Sequence, residues 1–165
     1  MKRVVCIGNP FIPGDDLGSR VYQQLAMEPL PDGLEIIDGG LAGLNLLRCF
    51  DHCRRLVFVD ALHPDGPDSI YVWQYFESGV HSGFHPMQNT ASATLFHADA
   101  DSAPCAHYGH SAGLGYLLQA ARAVRGAEPG PDIYLIGAHG DAPDSLIPTI
   151  AGLSLRVARD LRIGR

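Results

Sequence analysis

Apolar positions in this chain alternate between short continuous runs and longer segments with a helical repeat. The runs are rich in β-branched and aromatic residues and are predicted to form strands at residues 4–7, 34–37, 56–60, 70–76 and 133–136. Helical spacing follows in four stripes: Leu17, Val21 and Leu25; Leu41, Leu44 and Leu47; Leu114, Leu117, Leu118, Ala121 and Val124; and Ile150, Leu153, Val157 and Leu161.

This alternation predicts an α/β fold of three layers, α/β/α, around a mostly parallel twisted sheet of about five strands. One strand is expected to be antiparallel, because residues 70–76 follow 56–60 after only a short turn and should pair with it. Residues 77–109 show no sustained period and are predicted to be a long loop, with a short helix over 89–98. The length of 165 residues favours a single domain over 1–165.

Composition narrows the classes of function. A net charge of −6 argues against a nucleic-acid surface, which requires clustered cations. The apolar run near the N-terminus is too short for a signal peptide, and no stretch approaches the length of a membrane span. We therefore expect a cytoplasmic protein with no membrane insertion. No long heptad run indicates a dimer, so a monomer is expected.

Two of the predicted strands lead to aspartates. The first runs into a turn that ends at Asp15 and Asp16, and the third ends at Asp60. In an open α/β sheet the carboxyl ends of the strands share one crevice, so these acids can meet at a metal or acid–base site. The local alternative is structural: Asp15 and Asp16 as helix caps, and Asp60 as the cap of the turn that follows it.

Histidine supplies the natural third group. His110 precedes the helical segment 112–124, and two carboxylates with one imidazole suit Zn, Ni or Mn. Other metal-binding arrangements are weaker. Cys49 and Cys53 could share one helix face, although buried free thiols are commoner. His81 and His85 have helical spacing, but a glycine and a proline beside them disfavour a helix there.

Four motifs in order resemble the [NiFe]-hydrogenase maturation endopeptidases. They are Ile-Gly-Asn-Pro at 7–10 with the acidic pair and Gly18, Asp-Gly-Gly-Leu-Ala-Gly at 38–43, Val-Phe-Val-Asp-Ala at 57–61 and His-Ser-Ala-Gly-Leu at 110–114. The resemblance covers nearly the whole chain. It implies an endopeptidase that removes the C-terminal extension of a [NiFe]-hydrogenase large-subunit precursor after nickel insertion.

The resemblance also implies the residues of the site. Asp60, His110 and one acid of the first turn would contact nickel, which is carried by the substrate and which zinc or cadmium can replace in a crystal. Counting from both ends of the first motif favours Asp15 over Asp16 as that ligand, although the spacing departs from the family pattern. The glycine-rich loop is the expected peptide-binding element, through Asp38, Gly39, Gly40 and Gly43; a tight turn is its structural alternative.

Two other functions stay open. The Gly-Asn-Pro motif is also similar to that of peptidyl-tRNA hydrolase, although the acidic charge counts against an RNA substrate. A non-catalytic nickel chaperone would instead bind metal through His81, His85, His97 or His107.

Overall fold

The sheet in the computed structural model has six strands, and the model describes residues 1–41, 43–62, 69–78, 81–87 and 111–159. The strands are β1 (Lys2–Ile7), β2 (Leu34–Gly40), β3 (Arg55–Leu62), β4 (Ile70–Ser78), β5 (His81–Pro86) and β6 (Asp132–His139). Their order across the sheet is β2-β1-β3-β6-β4-β5. Strands β1, β2, β3 and β6 are parallel to one another, so the carboxyl ends of β1 and β3 lie side by side.

Strand β4 runs opposite to the other five, which confirms one antiparallel strand in a mostly parallel sheet. The predicted partner of β4 was wrong. Strand β4 pairs with β6 rather than with β3. Strand β6 lies between β3 and β4 and pairs with β3 along its full length. Strands β3 and β4 are therefore consecutive in the chain but not neighbours in the sheet, which the sequence does not signal.

Strand β5 corrects the predicted loop at residues 77–109. It follows β4 closely and pairs antiparallel with it, as the outermost strand. His81 and His85 lie four residues apart on this strand, roughly 13 Å along it, which is too far for two ligands of one metal ion. The predicted helix at 89–98 lies outside the described residues.

Helices cover both faces of the sheet, which confirms the three-layer architecture. Helices α1 (Leu17–Ala26) and α3 (Ile147–Ala158) pack on one face, and α2 (Ser111–Arg125) packs on the other with a 3₁₀ helix, Gly43–Phe50. None of the helices in the described ranges has the length and hydropathy needed to cross a membrane.

Residues of β3 alternate between the two apolar layers. Val57 and Val59 face α1 and α3, whereas Leu56 and Phe58 face α2 and the 3₁₀ helix. Complete burial of each such side chain contributes about 1.5–3 kcal/mol to folding. Because side chains alternate along a strand, Asp60 follows Phe58 on the α2 face.

Most of the predicted apolar stripes are buried. Leu17, Val21 and Leu25 are inaccessible on α1, and the buried residues of α2 and α3 include the predicted ones at 114, 117, 118, 121, 150, 153 and 157. Residue 161 lies outside the described ranges. Val124 is 79% exposed, so the stripe of α2 ends before it.

The second predicted stripe, Leu41, Leu44 and Leu47, does not match the residues that are buried. Residues 43–50 form a 3₁₀ helix that buries Leu46 and Cys49, while Leu41 and Leu44 are exposed. A three-residue repeat fits a 3₁₀ helix, but the repeat begins two residues before the helix does.

Candidate functional site

The turn between β1 and α1 is held by backbone packed against backbone. A Cβ atom on Gly18 would overlap with the carbonyl oxygen of Ile7, and one on Gly8 would overlap with that of Asp15. The amide of Asn9 donates to the Asp15 carbonyl at 2.8 Å, and the Asp15 amide donates to Ile12 at 3.0 Å. Glycine at both positions lets the first turn of α1 lie directly on the end of β1, which fixes the direction of the acidic pair.

The two neighbouring acids have different surroundings. Asp15 is buried, with 8% of its surface exposed. Asp16 is the N-cap residue of α1, but its side chain makes no capping hydrogen bond and lies 3.8 Å from the Arg20 guanidinium. Asp16 therefore has the N-cap position that the structural alternative predicted, but its side chain does not form the capping hydrogen bond. Asp15 is the acid turned toward the protein interior.

Arg20 ties this turn to the segment after β6. Its guanidinium donates to the Ala142 carbonyl and to the Asp144 carboxylate, each at 2.7 Å. Gly140 packs so closely on Gly14 that a Cβ atom would overlap with the Gly14 carbonyl oxygen. The Asp15 turn is thus fixed from two sides.

Asp60 completes a pair of buried acids. It lies on β3 beside β1, is 5% exposed, and accepts a hydrogen bond at 2.8 Å from the Ala61 amide. Burial raises the pKa of Asp60 from 3.8 to about 7, while the bond from Ala61 opposes the rise and the charge of Asp15 adds to it. The carboxyl ends of β1 and β3 thus bring Asp15 and Asp60 close enough for one charge to act on the other.

This arrangement favours either a bound proton or a cation. Two carboxylates out of water repel each other, and a metal ion between them relieves both the repulsion and the desolvation. The predicted third ligand, His110, lies outside the described residues, immediately before α2 begins. Within the described part of the chain, no group of three or more metal-binding side chains is found. Assignment of Asp15, Asp16, Asp60 and His110 to a metal stays a prediction.

The predicted peptide-binding residues differ in their surroundings. Gly39 is buried against β1, where a Cβ atom would lie 3.0 Å from the Cys6 carbonyl oxygen, so it serves close packing. Asp38 is exposed and accepts a bond at 3.2 Å from the Gly40 amide. Gly40 and Gly43 border a cavity that also reaches Asp60. Asp38, Gly39 and Gly40 belong to β2 rather than to a loop, because the strand continues through an irregularity in its pairing with β1.

The cysteines show no metal-binding arrangement among the described residues. Burial raises the pKa of the Cys49 and Cys53 thiols, and Cys53 donates to the Arg55 carbonyl at 3.0 Å. Metal binding requires the thiolate, so this environment favours two structural thiols. Cys6 is buried in β1, as predicted.

Sequence reasoning missed Arg20 and Gly140. Both act through contacts between segments more than a hundred residues apart, which a local pattern does not contain. The one available signal was Gly140 itself, a glycine four residues after the end of the strand predicted at 133–136.

Solved structures share this fold. The chain is similar to the hydrogenase maturating endopeptidase HybD from E. coli, with a TM-score of 0.68, 22% identity and coverage of 97% of this chain and 93% of that one. It is also similar to the [NiFe] hydrogenase maturation protease HybD from Thermococcus kodakarensis, with a TM-score of 0.59, 15% identity and coverage of 98% and 99%.

A third similar structure is the [NiFe] hydrogenase maturation protease HycI from Thermococcus kodakarensis KOD1, with a TM-score of 0.54, 18% identity and coverage of 96% and 93%. Neither a family model nor a curated protein matches the sequence. The predicted resemblance is thus confirmed for the fold, over nearly the whole length of each protein.

Proposed function

We propose that this chain is an endopeptidase that removes the C-terminal extension of a [NiFe]-hydrogenase large-subunit precursor after nickel insertion. The observation that carries the proposal is the buried pair Asp15 and Asp60, close enough for the charge of Asp15 to raise the pKa of Asp60. The shared fold supports it, since structures named as hydrogenase maturation proteases have the same architecture. The four ordered motifs add independent support.

Nickel enters this mechanism as part of the substrate. Asp15, Asp60 and His110 engage the metal, which recruits the precursor and orients the peptide beside it. Approach of the cation favours the ionised form of Asp60, because the opposite charge compensates its burial. The cation can polarise the carbonyl of the bond to be cleaved. Water adds to the carbonyl carbon and gives up a proton, the C–N bond breaks, and the released amine takes up that proton.

The neighbouring acids provide a matched test. Purified nickel-loaded precursor is incubated with the wild type, Asp15→Asn, Asp60→Asn, His110→Ala and Asp16→Asn, and the shortened product is followed by mass spectrometry. We expect each of the first three variants to lose at least about 100-fold in cleavage rate, since even indirect supports of a metal site are worth 10–100-fold. Asp16→Asn should stay within about threefold of the wild type, because Asp16 lies beside Arg20.

Three results would contradict the proposal. Cleavage at the wild-type rate by Asp60→Ala and His110→Ala would remove the proposed metal contact from the mechanism. Nickel bound at His81, His85, His97 or His107 without any cleavage would favour the chaperone. Hydrolysis of peptidyl-tRNA instead of the precursor would favour the third candidate. The cytoplasmic location and the monomeric state stay predictions, which cell fractionation and light scattering would test.

A further inference from the structure

A small cavity opens beside Asp60 on the α2 face of the sheet. Its volume is about 230 Å³, and its walls include the aliphatic side chains of Ile7, Leu46, Leu114 and Leu117. The three leucines are at most 5% exposed and belong to the apolar core beneath α2. The cavity is therefore a recess in the core with a carboxylate at one side.

Glycines form part of its rim. Gly40 and Gly43 come from the end of β2 and the start of the 3₁₀ helix, and Gly113 comes from the first turn of α2. A Cβ atom on Gly43 or Gly113 would meet nothing within 4 Å. The rim is thus open on both sides, and the backbone of another chain can approach it closely.

The size and chemistry of the cavity limit its occupant. An apolar cavity of about 150 Å³ is large enough to hold benzene, so this one can take a single side chain as large as leucine or phenylalanine. Among its described lining residues, Asp60 is the one that ionises. A charged or strongly polar occupant would lose its hydration without gaining hydrogen bonds from the aliphatic walls.

Exposed apolar side chains continue outward from the cavity. Leu41 lines it and is 64% exposed, and Leu44 is 45% exposed on the adjoining 3₁₀ helix. Across the site, Phe11 and Ile12 are exposed on the turn that carries Asp15. Four large apolar side chains are thus exposed in the segments that follow β1 and β2, near the acid pair and the cavity.

We propose that this cavity is a specificity subsite that binds an apolar side chain of an extended peptide, at a residue next to the bond that is cleaved. The inference rests on the proposed function, because Asp60 is both a wall of the cavity and a member of the acid pair. Leu46, Leu114 and Leu117 select the occupant by its shape, and the glycine rim admits the peptide backbone.

Two glycines on one helix provide the test. Gly113→Leu adds a side chain at the rim of the cavity. Gly115→Leu makes the same change two residues further along α2, at a position that does not line the cavity. A Cβ atom at either position meets nothing within 4 Å, and leucine favours a helix more than glycine, so both variants should fold.

Cleavage is measured on nickel-loaded precursors. The bond that the wild type cleaves is first located by mass spectrometry, and each residue flanking it is then changed to alanine, leucine or aspartate. At one of the two positions we expect the wild type and Gly115→Leu to prefer leucine over alanine by at least about tenfold in kcat/KM. Gly113→Leu should reduce that preference to within about threefold, mainly by slowing the leucine substrate.

Methyl NMR tests the cavity without cleavage. Benzene is added to the metal-free protein, and the methyl resonances of Leu46, Leu114 and Leu117 are followed. We expect saturable shifts in the wild type and Gly115→Leu, and at least a tenfold weaker response in Gly113→Leu. Absence of these shifts in the wild type would overturn the cavity as a binding site.

The two measurements separate the two proposals. If the wild type cleaves precursors with the same preference as Gly113→Leu, the subsite is overturned while the peptidase function stands. If no precursor is cleaved but benzene still binds, the peptidase function fails and the apolar binding site stands.

Discussion

The two sides of the candidate site are built from glycine in opposite ways. On the side of Asp15, Gly8, Gly18 and Gly140 are so closely packed that a Cβ atom would overlap with a neighbouring carbonyl oxygen. On the side of the cavity, a Cβ atom on Gly43 or Gly113 would meet no atom within 4 Å. The same residue type thus serves close packing at one position and open access at another.

This difference matches the two tasks proposed for the site. A proposed pair of metal-binding carboxylates benefits from positions that are fixed before the metal arrives, and a rigid turn provides this. A peptide must enter and leave, which requires space at the rim. Substitutions of the glycines should therefore have large effects on stability on the first side and small ones on the second.

The largest effect is expected for Gly18→Ala. The added methyl group would overlap with the Ile7 carbonyl oxygen, and the nearest atoms are all backbone atoms of Ile7, which cannot rotate away as a side chain can. We expect a loss of more than about 4 kcal/mol in the free energy of unfolding, or failure to fold, measured by urea denaturation.

A helical glycine elsewhere provides the control for this substitution. Gly152 lies in α3, is exposed, and would place a Cβ atom in open space. Gly152→Ala should therefore stabilise the protein by about 1 kcal/mol, the difference in helix propensity between the two residues. Similar values for Gly18→Ala and Gly152→Ala would disprove the close packing of α1 on β1.

The second effect concerns the acid pair and depends on pH. Asp60 has a pKa of about 7 in the folded protein and about 3.8 when unfolded, so between these values the folded state binds more protons. Stability of the metal-free wild type should therefore decrease as pH rises from about 4, and level off above about 7. Asp60→Asn cannot ionise, and relative to the wild type it should gain up to about 4 kcal/mol over this range.

Urea denaturation at several pH values measures this gain. Asp32→Asn is the control, because Asp32 is exposed on the turn before β2. The difference in free energy of unfolding between Asp32→Asn and the wild type should not change with pH in the way expected for Asp60→Asn. If the free energies of unfolding of Asp60→Asn and the wild type differ by a constant amount from pH 4 to pH 8, the surroundings of Asp60 do not raise its pKa.

Much of the fold was predictable because it depends on local periodicity. The stripe of α1 and the apolar run of β3 each identify their own element, and alternation of such elements implies a layered sheet. The position of β4 beside β6 was not predictable, since the order of strands depends on contacts between distant segments. Strand β5 was missed because Gly83 and Pro86 are poor strand residues, which an edge strand tolerates.

The candidate site shows the same division. The meeting of Asp15, in the turn after β1, and Asp60, near the end of β3, followed from the sequence, because parallel strands present their carboxyl ends together. The different surroundings of Asp15 and Asp16 could not be predicted from the sequence. Arg20 lies beside Asp16 and also binds a segment more than a hundred residues away. The cavity beside Asp60 was also missed, because its walls come from separate elements.

The smallest effect is expected at the open side, for Gly43. Its φ angle of +51° lies in the left-handed region, but a Cβ atom there would meet nothing within 4 Å. Gly43→Ala should therefore cost only the conformational strain, about 1–2 kcal/mol in urea denaturation. Gly43→Asn should cost less, because asparagine tolerates this conformation better than alanine. A loss with either variant as large as that of Gly18→Ala would mean that the rim is closely packed, and would remove the contrast between the two sides.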